Sequence, residues 1–146
     1  MTTICQANRI RFTVLGEPIA QGRPRATTIN GHVRMYDPAK SRNYKDYIRL
    51  VASEHAPDKL LEGPIALFVN VYRPIPKGMS KKRSLLAEQG KLRPTKKPDV
   101  DNYLKAIKDA LKNVIWKDDS QVVRVVIDKY YSERPRIEVE IVQLEE

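Results

Sequence analysis

The stretch from Asp99 to Val114 constrains this chain more than any other. Val100, Tyr103, Leu104, Ile107, Leu111 and Val114 recur at three- and four-residue steps, which puts their side chains on one stripe of an α-helix that must be buried against something. Pro98 disfavours helical backbone at Lys97, so the helix starts at Asp99, an N-cap residue type, with Asp101 opening its first turn. Elsewhere the period changes to two. Arg9 to Leu15 alternates Ile10, Phe12 and Val14 with Arg11 and Thr13, and Pro64 to Tyr72 carries Ile65, Leu67, Val69 and Val71 on one side. Val122 to Tyr131 and Arg136 to Val142 read as two closing antiparallel strands around the turn Ser132–Pro135. Asn30-Gly31 between Thr27–Ile29 and His32–Tyr36 predicts a type I′ hairpin, and Tyr44, Tyr47, Ile48 and Val51 predict a helix from Pro38 to about Ala56. Ser80 caps a short helix through Glu88, ended by Gly90, which leaves Lys91 to Pro98 as a loop. At 146 residues, this mixture predicts one α/β domain of the α+β kind over residues 1–146.

Charge narrows the partner. Between Arg73 and Lys97 there are nine Lys/Arg residues against Glu88 alone, inside a chain of net charge +9. Dense positive charge attracts a polyanion, because neutralising phosphates releases condensed counterions. The longest apolar stretch, Ile65 to Tyr72, is broken by Asn70 and is too short to cross a bilayer. The N-terminus lacks the apolar region of a signal peptide, and Cys5 has no cysteine to pair with, so a cytoplasmic protein with an inert Cys5 thiol is expected.

Five of the nine aspartates, Asp99, Asp101, Asp109, Asp118 and Asp119, follow directly on that basic run. Carboxylates where phosphates dock would repel them, unless a divalent cation sits between and bridges the two. Residues two apart on a helix point about 200° apart, so Asp99 and Asp101 can converge only if Asp99 lies outside the helix, as Pro98 allows. Lys105, four residues beyond Asp101, lies on the same helix face and is well placed against a phosphate. The second acidic pair, Asp118-Asp119, stands beside Trp116, while Asp109 reads as a solvent-facing helix acid. Oxygen ligands with no histidine or cysteine close by favour magnesium, with manganese as a substitute, over zinc. His32 and His55 are far away in sequence and read as surface residues.

The motif Lys97-Pro98-Asp99-Val100-Asp101-Asn102-Tyr103-Leu104-Lys105, followed by Asp109-Ala110-Leu111 and Trp116-Lys117-Asp118-Asp119-Ser120-Gln121-Val122, closely resembles the RusA family of Holliday junction resolvases. The likeness extends upstream to Gln21-Gly22-Arg23-Pro24-Arg25, to Tyr36-Asp37-Pro38 with Tyr44, and to Tyr72-Arg73-Pro74. It implies a homodimeric α/β protein with a mixed sheet that cuts four-way DNA junctions by paired symmetric nicks, using magnesium or manganese. By motif, Asp99, Asp101 and Asp119 match the essential carboxylates and Lys105 the essential lysine, with Asp118 as the alternative ligand to Asp119. Arg23, Arg25, Lys81, Lys82, Arg83, Lys96 and Lys97 are the candidate DNA surface. Met79 departs from the family, which often carries an aromatic there.

Two other readings compete. A restriction-type nuclease would place its second acid and lysine as an acid-x-Lys triplet on a strand, whereas Asp101 and Lys105 are spaced for one helix. A non-catalytic basic DNA-binding protein would use the same aspartates only as caps, first-turn acids and solubilising charges.

Overall fold

The alternation in Arg9–Leu15 produces the first strand, β1, with Ile10, Phe12 and Val14 turned into the core and the intervening residues outward. In the computed structural model, residues 9–22, 25–36 and 38–145 are described; Cys5, Arg23, Pro24 and Asp37 lie outside them. A ribbon of β2 (Arg25–Ile29) and β3 (His32–Tyr36) follows, turned by Asn30 at φ 50 and Gly31 at φ 77, the left-handed pair that a type I′ turn requires. Helix α1 (Ala39–Ser53) starts after Pro38, and the long strand β4 (Ile65–Pro74) comes next. Helix α2 (Lys81–Glu88) is capped by the Ser80 hydroxyl, which accepts from Arg83 N at 3.2 Å. Helix α3 (Val100–Leu111), β5 (Val122–Ser132) and β6 (Arg136–Gln143) complete the order.

The main sheet is mixed, in the order β1-β6-β4-β5, with β4 parallel to β5 and antiparallel to β6. One face is covered by the stripes of α1 and α3: Tyr44, Ile48 and Ala52 meet Tyr103, Ile107, Ala110 and Leu111 over Leu67, Val69, Val139 and Ile141 in one core. The two closing strands depart from expectation. They run antiparallel to each other but do not pair, because β4 lies between them. Ser132–Pro135 contains no Asn-Gly type turn to enforce a hairpin, and spanning one intervening strand needs only about 10 Å. Burial decides the order. The alternating Ile137, Val139 and Ile141 of β6 are fully buried between β1 and β4, whereas β5 tolerates exposed Val123 and Val126 at the sheet edge. Parallel pairing of β4 and β5 needs a crossover, and residues 75–121, containing α3, supply it.

Helix α3 also ends before its predicted stripe does. Lys112 turns extended and Asn113 adopts φ 64, so Val114 follows the helix rather than belonging to it, and Ile115 and Trp116 enter the core from a loop. No helix among the described residues is long and apolar enough to cross a membrane.

Candidate active site

The run-in to α3 is held from the sheet. Arg73 at the end of β4 donates to Lys97 O at 2.9 Å, and Lys129 on β5 donates from one Nζ to Lys96 O and Pro98 O, each at 2.9 Å. Burial lowers the Lys129 ammonium pKa, Arg73 adds to this, and Asp99 opposes it. Asp99 has the extended backbone of an N-cap, and its carbonyl accepts the first helical bonds from Asn102 N and Tyr103 N. Its carboxylate, however, makes no capping hydrogen bond. Two residues on, Asp101 pairs with Lys105 at 3.3 Å on an exposed face, a contact of little energetic weight in water.

The second acidic pair is organised differently. Asp118 caps a single 3-10 turn, Asp119–Gln121, accepting from Ser120 N at 3.0 Å, while Gln121 Oε1 accepts from Asp118 N at 2.9 Å. The backbone and side-chain hydrogen bonds of Ser120 hold the Asp118 carboxyl below the ordinary aspartate range. Gln121 also reaches Leu61 O at 2.8 Å and Gly63 O at 3.2 Å, which ties the turn to the chain entering β4. Trp116 is fully buried, and its indole N–H donates to Asp119 Oδ1 at 2.9 Å. A core residue thereby orients a half-exposed acid.

Asp101, Lys105 and Asp119 line one pocket of about 340 Å³ along α3, together with Gln21, Leu104, Lys108 and Asp109. Asp99 lines the adjoining pocket, and Gln21 borders both. Among the described residues no three His, Cys, Asp or Glu side chains are grouped closely enough to hold a metal ion. In chemistry the set suits a hard dication: its donors are carboxylates, two share a pocket, and the third is not engaged as a cap. Asp118 is absorbed by its turn. Asp109 is more than a solvated acid, since Lys45 binds it at 3.2 Å and also donates to Gln21 Oε1 at 3.0 Å.

The basic candidates divide between two places. Lys81, Lys82 and Arg83 form the exposed first turn of α2, and Arg83 and Lys96 share a groove with Arg93 and Met79. Lys97 instead borders the Asp99 pocket with Lys40 and Arg73. Arg25 opens β2, and Arg23 is outside the described residues. Lys40, Lys108 and Lys129 are additions from the structure, which also places Gln21 and Arg73, named only in the family likeness, at the site. Helical arithmetic alone puts Lys108 seven residues from Asp101 on the same face; Lys40, Gln21 and Lys129 carry no such signal.

A family model described as Endodeoxyribonuclease RusA matches residues 16–142, which include every acid and lysine of this site. The chain belongs to the RusA endodeoxyribonuclease family. It is also 58% identical over 134 residues to Uncharacterized protein YqaN of Bacillus subtilis (strain 168), across 90% of this chain and 94% of that protein. The RusA match covers both acidic segments and the basic run between β4 and α3, so the site and the family assignment concern the same residues.

Proposed function

We propose that this RusA-family protein is a magnesium-dependent endodeoxyribonuclease that resolves four-way DNA junctions by paired symmetric nicks in recombination and repair, acting as a homodimer. The observation that carries this reading is one pocket lined by Asp101, Lys105 and Asp119, beside a basic surface, in a chain matched to an endodeoxyribonuclease family. Asp99, Asp101 and Asp119 are the residues that hold the cation. Bound magnesium, or manganese in its place, supplies charge neutralisation at the phosphate and a water of lowered pKa. Lys105 stabilises the charge that develops on the phosphate. Trp116 keeps the Asp119 carboxylate oriented, and Lys81, Lys82, Arg83, Lys96 and Lys97, with Arg23 and Arg25, contact the backbone of the junction arms. Such contacts read shape rather than sequence. A two-fold symmetric dimer matches a two-fold symmetric junction with one site per subunit, from which symmetric nicks follow.

Incubation of the protein with a synthetic four-way junction and a linear duplex, with and without magnesium, tests the reading. Paired nicks confined to the junction and abolished by chelation are expected; metal-independent cutting, or equal cutting of both substrates, would sink it. The wide placement of the three carboxylates is the observation favouring a purely DNA-binding protein. Under that alternative the junction is not cut, and Asp101→Ala leaves junction binding unchanged.

A further inference from the structure

The pocket next to the proposed catalytic one has features that the fold does not need. It encloses about 480 Å³, within the range of small-ligand sites. Three cations reach it from separate segments: Lys40 from the start of α1, Arg73 from the end of β4 and Lys97 from the loop before α3. None of the three is in an ion pair among the described residues. The acids on its wall are Glu17 and Asp99, and Asp99 belongs to the proposed cation site. Arg73, through its bond to Lys97 O, keeps the cationic wall in place.

The second observation is Tyr103. The residue borders the pocket, is only 1% exposed, and its hydroxyl is buried with no hydrogen-bond partner. Burial raises the phenol pKa, and the charges acting on it are Arg73 and Glu17, both on the pocket wall. An unsatisfied buried hydroxyl destabilises the free protein, and native structures retain few of them. The third observation is continuity: Gln21 borders both this pocket and the one lined by Asp101, Lys105 and Asp119.

We infer that this pocket is a subsite for the cut DNA strand, receiving the nucleotide beside the scissile phosphate, with Lys40 and Lys97 on its phosphate and Tyr103 in the wall behind it. The inference rests on the nuclease reading and adds a strand path to it, past Gln21 and Asp99.

Junction binding measured in EDTA over a salt series, with steady-state cleavage in magnesium, tests this on Lys40→Gln, Tyr103→Phe and Lys59→Gln of the full chain. Lys59 lines a separate pocket and serves as the charge control. Lys40→Gln should weaken binding about fivefold to tenfold and reduce the salt slope by about one, with KM raised and kcat retained. Tyr103→Phe should leave KM within about twofold of wild type while Tm stays level or rises, because the orphaned hydroxyl is gone. Lys59→Gln should match the wild type. Equal weakening by Lys59→Gln and Lys40→Gln would overturn the subsite. If the wild type cuts junctions, Asp101→Asn does not, and Lys40→Gln behaves as wild type, the subsite fails and the nuclease reading stands. A wild type that does not cut junctions removes the nuclease reading itself.

Discussion

Asp99 and Asp118 occupy the same kind of position, each in extended backbone immediately before a helical turn, yet only Asp118 uses its carboxylate as a cap. Ser80 before α2 behaves like Asp118. Each aspartate is followed by a first-turn acid, Asp101 or Asp119, and those two line one pocket. The difference is instructive. Backbone dihedrals make an N-cap, but the side chain caps only if nothing else competes for it. Near Asp118 the capping box with Gln121 satisfies both partners locally. Asp99 instead lies within the field of Lys129, which is fixed by the carbonyls of Lys96 and Pro98.

The comparison breaks most severely if the two acidic segments turn out to be equivalent. Asp101→Asn should reduce junction cleavage by about a thousandfold with binding retained, whereas Asp118→Asn should stay within about threefold of wild type. Equal losses in a gel-based cleavage assay would show that the cap and the first-turn acid do not differ in role. The next effect concerns the support of Asp99. Lys129→Met removes two hydrogen bonds to the α3 run-in and should lower manganese affinity and cleavage roughly tenfold, with Lys129→Arg recovering part of it. Unchanged manganese titration would make the clamp merely structural. On the other segment, Trp116→Phe deletes the donor to Asp119 from a fully buried site. It should cost about 2 kcal/mol in urea denaturation and slow cleavage several-fold.

The smallest effect sharpens the role of Asp118. Its carboxyl pKa is depressed in the folded state, so its stabilising contribution is complete above the ordinary aspartate range and is lost as the pH falls through the folded value. Asp118→Ala should therefore melt slightly below wild type at neutral pH, and the two melting curves should converge in acid. A gap that persists at low pH would remove the charged cap as its cause.

Much of the molecule is legible because its signals are short-range. The alternation of Ile10, Phe12 and Val14, the Asn30-Gly31 turn, the Ser80 cap and the α3 stripe from Tyr103 to Leu111 each depend on residues a few positions apart and appear where expected, whereas Val100 at the start of that stripe is exposed and Val114 follows the helix. The Asp101–Lys105 pair follows from helical spacing alone. Other features depend on residues far apart in sequence. Nothing near Trp116 indicates that a loop tryptophan is fully buried and holds Asp119, and nothing near Asp109 indicates its bond to Lys45 on α1. The adjacency expected of the last two strands fails for the same reason. Periodicity identifies a strand's buried face but leaves its neighbours open.

The residue order by itself determined the helix periods, the caps, the turn and the polyanion-seeking charge, because each is set within one or two turns of chain or by simple summation. Only the tertiary structure decided which of these meet. The crossover from β4 through α3 to the parallel β5 returns the Asp119 turn to the start of β4, where Gln121 anchors it, while Arg73 and Lys129 hold the other end of α3 at Lys96–Pro98. Pairing strands across a long crossover closes a long loop, and the free energy that offsets its entropy comes from the shared core rather than from any local motif.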